Sequence, residues 1–187
     1  MAHDTAPDLA QIQLARTAFL DCVIRTEVPG TFDITQITGY ADPEVVIRTF
    51  CDLELREVGF DVQIRTTALN QAGQPLPATG YFRLHFVFQV RNLPDLLFVN
   101  PDRPEAGETP NLPLTASLMG AAYSTARGMI VSKVSDTVLN GFALPLRAVQ
   151  RLLDDTNQVL RNQLNEPALA APVRAKSGRA AKARKAH

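Results

Sequence analysis

The chain has 187 residues, 45% of them hydrophobic, with equal numbers of acidic and basic side chains. This length suits one domain with its own core, and no apolar run approaches the roughly 20 residues of a membrane helix, so we expect no membrane span. The N-terminus lacks the basic and apolar regions of a secretory signal, so we expect a cytoplasmic protein in which Cys22 and Cys51 are free thiols.

The charge is divided unevenly along the chain. Residues 1–168 hold 13 basic and 19 acidic side chains, a net charge of −6, whereas residues 169–187 hold six basic side chains and no acidic one. The composition of 169–187, mainly Ala, Lys, Arg, Gly and Ser, predicts a disordered basic tail behind a domain of residues 1–168. Because the domain itself is acidic and no helix carries a basic stripe, we do not expect nucleic-acid binding.

Hydrophobic patterning predicts strands in the first half of the chain. A first strand is expected over residues 13–26, followed by a long connection rich in proline and glycine. Period-two alternation predicts strands over 45–58 and 60–69, separated at Gly59, and most clearly over 81–91. The last of these strands places five large apolar side chains on one face: Phe82, Leu84, Phe86, Phe88 and Val90.

The second half of the chain is predicted to be helical. A helix from about Leu112 to Ser135 is expected, with Asn111 or Thr109 as its cap, and an amphipathic helix from Leu146 to Leu164. The first helix carries so little charge that we expect it to be buried against both the sheet and a second subunit. Strands followed by helices indicate an α+β fold, a four-stranded antiparallel sheet with both helices packed on one face.

The sequence offers no catalytic constellation. Gly-rich phosphate loops and nucleophile elbows are missing, and two cysteines with three histidines do not suggest a metal site. His85 lies on the polar face of its predicted strand, with no nucleophile or carboxylate at recognisable spacing. We therefore expect a protein that is not an enzyme and holds no metal or cofactor.

Three features of the second half occur in an order that points to a family. Pro110 and Asn111 open the long helix, the stretch from Tyr123 to Arg127 lies inside it, and Leu144-Pro145 precedes the last helix. This order resembles the C-terminal half of the SecB protein-export chaperone family. The stretch AYSTARGMI is most similar to the divergent SecB-like branch, some members of which are linked to toxin–antitoxin systems.

The resemblance implies a chaperone rather than an enzyme. Members of the family hold unfolded precursor polypeptides in an export-competent state without ATP, assemble as a tetramer (a dimer of dimers), and pass clients to the SecA translocation motor. No cofactor is implied. The alternative is a SecB-like interaction module dedicated to a single partner, such as an antitoxin.

The resemblance also implies roles for particular residues. The family's client groove lies between the sheet, the first crossover and the last helix, and the matching positions are Phe32, Ile34, Ile37, Tyr40, Phe50, Leu153 and Leu160. An alternative is that these apolar side chains simply close the core. Asp21 matches one acid of the family's motor-docking surface, and the subunit interface is expected at Met119, Tyr123 and Ile130.

Deleting residues 169–187 should leave folding and assembly unchanged, because the tail has no apolar side chains at a regular spacing with which to join a core. Thermal unfolding and light scattering of the shortened chain would check this. A lower melting temperature or a smaller assembly would contradict the predicted boundary.

Overall fold

The computed structural model describes residues 6–26, 33–99, 107–154 and 156. Five strands form the main sheet: β1 (Ile12–Thr26), β2 (Gly39–Tyr40), β3 (Glu44–Asp52), β4 (Glu57–Leu69) and β5 (Pro75–Val90). Two short strands form a separate ribbon, β6 (Leu97–Val99) and β7 (Glu108–Pro110). The long helix α1 is Leu112–Val134, and residues 149–154 and 156 are helical and are named α2.

The main sheet is antiparallel throughout, with β5 between β1 and β4. The short strand β2 and the longer β3 both pair with the other side of β4. The chain therefore crosses from one border of the sheet at β1 to the opposite border at β2. The predicted α+β fold with an antiparallel sheet is confirmed.

The core lies between α1 and the face of the sheet that we call the inner face. The predicted apolar side of β5 forms its centre, and every one of its five side chains is buried. Burying each such side chain contributes about 1.5–3 kcal/mol. Of the two predicted caps, Asn111 is the one that caps α1, since its side-chain oxygen accepts a hydrogen bond from the Leu114 amide at 2.9 Å.

The predicted separation of strands at Gly59 is wrong. The hairpin turn falls earlier, where Arg56 has a φ of +53° and the Asp52 carboxylate accepts from the Leu55 amide. Gly59 lies inside β4 opposite Phe50, whose ring occupies the space of a side chain: a Cβ on Gly59 would lie 1.8 Å from the Phe50 Cζ. The glycine thus provides room for an aromatic ring rather than a strand break.

Helix α2 connects α1 to the border of the sheet at β3. Val149 packs on Gly120 of α1, where a Cβ would lie 3.1 Å from the Val149 Cγ2, and Leu152 is fully buried. Thr156 lies beside β3, and its hydroxyl accepts a hydrogen bond from the buried Ile47 amide at 3.2 Å. The helix thereby covers part of the border of β3 that pairs with no other described strand. The predicted continuation to Leu164 lies outside the described residues.

Replacing Thr156 with Val should lower the free energy of unfolding by about 1–3 kcal/mol, because the buried Ile47 amide would lose its acceptor while the side-chain shape is kept. Urea unfolding of the variant would measure this. Thr156→Ser is the matched control, since it keeps the hydroxyl. A Val variant as stable as the parent would show that this hydrogen bond contributes nothing.

Candidate polypeptide-binding surface

The first crossover holds an apolar side chain in solvent. Ile34 begins a single 3-10 turn (Ile34–Gln36), and 61% of its surface is exposed. The preceding Asp33 caps this turn, because its Oδ1 accepts hydrogen bonds from the amide of Thr35 at 2.9 Å and from its hydroxyl at 2.7 Å. These hydrogen bonds, that of the hydroxyl first, hold the pKa of Asp33 below its usual value. The exposure of Ile34 is thus fixed by local structure.

The same crossover is attached to the segment that follows α1. Ile37 and Tyr40 are half-buried against the core, and the Tyr40 ring meets Phe142 edge-on at 5.1 Å. The Tyr40 hydroxyl donates to the Asn140 carbonyl oxygen at 2.7 Å, and burial raises the pKa of Tyr40. Tyr40 therefore helps to close the core as well as border the surface.

A second attachment lies nearer to α2. The Arg147 guanidinium donates to the Asp42 carboxylate at 2.5 Å and to the Pro43 carbonyl oxygen at 3.1 Å. Its neighbour Leu146 is 83% exposed. We name residues 33–43 and 137–147 the crossover surface. It combines a fixed backbone with two exposed apolar side chains, Ile34 and Leu146.

The structure divides the predicted groove residues between separate regions. Ile34, Ile37 and Tyr40 lie on the crossover surface, and Leu153 is half-buried on the helical part of the core. Phe50 lies elsewhere: its partner Gly59 is nine residues along β4 from Ala68, the partner of Tyr40. That is about 30 Å along the strand. Two predicted positions, Phe32 and Leu160, lie outside the described residues.

Phe50 belongs to a polar network on the outer face of the sheet, which is the face turned away from α1. Its exposed ring stacks on His85 with centroids 5.3 Å apart. The His85 Nδ1 lies 2.7 Å from one Asp61 carboxylate oxygen, and Arg83 donates to the other at 2.6 Å. Burial raises the pKa of Asp61, but these two hydrogen bonds outweigh it and hold the pKa below the usual value.

This network corrects the expectation that His85 has no carboxylate partner. Asp61 and His85 are 24 residues apart but directly opposite each other on β4 and β5. Residue spacing along a single strand cannot reveal such a pair. The alternation patterns of β4 and β5, combined with the register of the hairpin that joins them, would have revealed it. The arrangement neutralises charge on the sheet and supports the Phe50 ring.

The remaining reactive groups offer little chemistry. Cys22 and Cys51 are free and half-buried, and burial raises the pKa of both thiols, so they are protonated at neutral pH. Among residues 6–26, 33–99, 107–154 and 156, no three His, Cys, Asp or Glu side chains are grouped as metal ligands would be.

Met119, Tyr123 and Ile130 are buried within the protomer, and the subunit contact expected at these positions of α1 stays a prediction. Their exposed fractions are 0–4%, because all three pack into the protomer's own core, and the Tyr123 hydroxyl donates to the Pro145 carbonyl oxygen at 2.9 Å. They have almost no surface left for a second subunit. Asp21 is exposed on β1, opposite Arg83.

Replacing Asp61 with Asn should reduce stability at pH 7 and weaken its dependence on acid pH. The native pKa of Asp61 is lowered, so its contribution is complete above about pH 4, the unfolded value, and is lost as pH falls through the native pKa. Urea unfolding at pH 7 and pH 3 would show a smaller difference for the variant than for the parent.

The control for this experiment is Asp136→Asn at an exposed position after α1. If Asp61→Asn loses as much stability between pH 7 and pH 3 as the parent does, Asp61 does not contribute to the acid sensitivity of the protein.

Comparison with known proteins identifies the fold. No family model and no curated protein matches the chain. Among solved structures, the SecB-like chaperone Rv1957 of Mycobacterium tuberculosis, in complex with a ChAD peptide from the HigA1 antitoxin, matches with a TM-score of 0.50 and 17% identity. The match covers 74% of this chain and 91% of that one.

This likeness agrees with the family resemblance found in the sequence. It extends over nearly the whole of the neighbour, so the fold of that protein is represented here almost completely. In the described part of the chain, no helix is long and apolar enough to cross a membrane. The chain therefore has the fold of the SecB-like chaperones, in a divergent sequence.

Proposed function

We propose that this protein is an ATP-independent chaperone that binds extended, unfolded polypeptides at the crossover surface. The observation that carries the proposal is the exposure of Ile34 and Leu146 on two segments tied together by backbone and ionic contacts. Exposed apolar side chains held in this way can bury apolar segments of a client without rearrangement of the core. Ile37 and Tyr40 would form the floor of the site.

Such binding rests on the hydrophobic effect, which is non-directional. Burial of apolar surface does not depend on a particular client sequence, so one surface can accept many unfolded chains. Folded proteins would be ignored because their apolar segments are already buried. No bond is made or broken in this function, which agrees with the poor nucleophilicity of both cysteines.

Assembly would strengthen this weak binding. We propose a homotetramer, a dimer of dimers, in which several crossover surfaces act on one client and raise its avidity. The contact between subunits is best supported at β1, which pairs only with β5 among the described strands. A groove of about 420 Å³ between β1 and α1, with apolar walls at Phe19 and Met129, borders this edge. Leu20 of β1 and Val131 of α1 also have exposed side chains.

The proposal has two forms, which differ in the client that the chaperone binds. One is a cytoplasmic export chaperone that keeps precursor polypeptides competent and delivers them to the SecA motor through a surface that includes Asp21. The other is a chaperone dedicated to a single partner, favoured by the neighbouring structure, in which a SecB-like chaperone holds a peptide from an antitoxin. The positive neighbours of Asp21, Arg25 and Arg83, favour the second form.

The double variant Ile34→Ser with Leu146→Ser should bind an unfolded polypeptide several-fold more weakly, because both side chains are exposed at 61% and 83%. Its free energy of unfolding should stay within about 0.5 kcal/mol of the parent. The assay is capture of a slow-folding polypeptide diluted from denaturant, without nucleotide, compared with the same polypeptide already folded.

The matched control removes two similarly exposed leucines elsewhere, Leu9→Ser with Leu112→Ser, which are 70% and 60% exposed. If the control loses as much binding as the test variant, the crossover surface is not the site. If the parent captures no unfolded polypeptide at all, general holding is refuted and the dedicated form remains.

A further inference from the structure

The outer face of the sheet contains a cavity distinct from the crossover surface. It has a volume of about 410 Å³ and lies over β1, β5 and β4 at the end where β5 begins. Its charged and aromatic walls are Arg25, Arg65, Tyr81 and Asp21, and the hydroxyls of Thr67 and Thr79 lie between them.

The strand register explains why these side chains meet. Thr79 of β5 is paired with Arg25 on one side and with Thr67 on the other. Tyr81, two residues further along the same face, is paired with Arg65. The two arginines therefore stand on strands either side of β5. Neighbouring strands are about 4.8 Å apart, so their backbones are separated by about 10 Å across the sheet.

Among the described residues, Arg25 and Arg65 have no carboxylate partner, unlike Arg16 and Arg83 of the same face. Arg16 and Arg83 form ion pairs with Glu57 and Asp61, at 2.5 and 2.6 Å. Neither Arg25 nor Arg65 forms an ion pair with any residue of the described ranges, and both are exposed.

The position of Arg65 is fixed by an aromatic contact. Its guanidinium carbon lies 5.7 Å from the centre of the Tyr81 ring, which is a cation–π distance. Glu44 is its neighbour on β3, but the ring lies on the opposite side, over β5, so the guanidinium is turned toward the cavity. The contact leaves the guanidinium N–H groups available to a ligand.

The charge of the cavity is positive although the domain is acidic. Among the described lining residues, two arginines face one carboxylate, that of Asp21, which is the cross-strand partner of Arg83. Residues 1–168 carry −6 overall, so a general attraction for anions cannot come from the domain as a whole. Any anion bound here would be bound by these particular side chains.

We propose that this cavity binds an acidic segment of a partner protein, with Arg25 and Arg65 each taking one carboxylate of that segment. A guanidinium offers paired N–H donors that match a carboxylate, and the hydroxyls of Thr67 and Thr79 add further donors. The separation of the arginines suits two acidic side chains of one extended segment better than a single small anion.

The presence of Asp21 favours a peptide over a phosphate ligand. Asp21 would repel a phosphate and the two carboxylates of an acidic segment alike, but a peptide can also donate a backbone N–H to Asp21, whereas a phosphate dianion has no donor. The cavity also lies on a sheet face, and its described lining residues include neither a helix N-terminus nor a glycine-rich loop that could hold a phosphate. This site goes beyond the proposed chaperone function and lies on the other side of the sheet from the core that carries the crossover surface.

The experiment measures binding of a fluorescein-labelled peptide of alternating Glu and Ser residues to the full-length protein by fluorescence anisotropy. Arg25→Gln and Arg65→Gln should each raise Kd about tenfold, and high salt should do the same in the parent. Arg48→Gln, an exposed arginine of the same face outside the cavity, is the matched control and should leave Kd unchanged. The basic tail is present in every variant, so its own attraction for the peptide cancels in the comparison.

Three results would overturn the proposal. One is an increase in Kd for Arg48→Gln equal to that of the cavity variants, which would mean diffuse electrostatic attraction. Another is parent protein that does not bind the peptide. The third is tighter binding of a single-stranded oligouridylate that depends on the same two arginines. Capture of unfolded polypeptide by Arg25→Gln and Arg65→Gln should match the parent, so failure here is separable from failure of the chaperone function.

Discussion

The contact between β5 and α1 is the constraint on which the rest of the molecule depends. β5 is paired on both sides, and its inner face supplies the centre of the core. Because α1 covers the inner face of β5, the alternate residues of this strand must face outward. They contribute to the polar network around Asp61 and to the cavity that holds Arg25 and Arg65. One strand therefore organises both the stability of the domain and the chemistry of its opposite face.

The second half of the chain serves chiefly to fix the borders of this sheet. The contacts of Tyr40 with Asn140 and of Arg147 with Asp42 join the first crossover to the segment after α1, across 100 and 105 residues of sequence. These contacts let the crossover carry exposed apolar side chains without losing its shape. A binding surface that is ordered in advance loses less entropy when a client binds than a flexible loop would.

Patterns local to the chain were sufficient to predict much of the fold. The alternation in β5, the length of β1 and the Asn111 cap of α1 all follow from neighbouring residues, and each is confirmed. The turn before β4 could not be placed, because Leu53 and Leu55 continue the apolar alternation into an exposed hairpin. An alternating apolar pattern alone does not show whether the apolar side of the strand is buried.

The site was less predictable because its contacts join distant strands. The exposure of Ile34 depends on a cap visible in the sequence, Asp33 before Thr35, but the pairing of Asp61 with His85 requires the register of two strands. The apolar side of α1 posed a different problem. Its spacing is the same whether it faces a sheet or another subunit, and only the structure assigns Met119, Tyr123 and Ile130 to the core.

The position of Thr156 beside Ile47 has a consequence for how this protein avoids self-association. A border strand with free N–H and carbonyl groups is a template on which a second chain can add a strand, and natural proteins cover or interrupt such edges. Here the last described residue of α2 occupies one of these groups on β3. Displacement of α2 would therefore expose backbone groups of β3 that can pair with another chain, as well as the apolar face of the helix. We therefore expect aggregation to begin where this helix detaches.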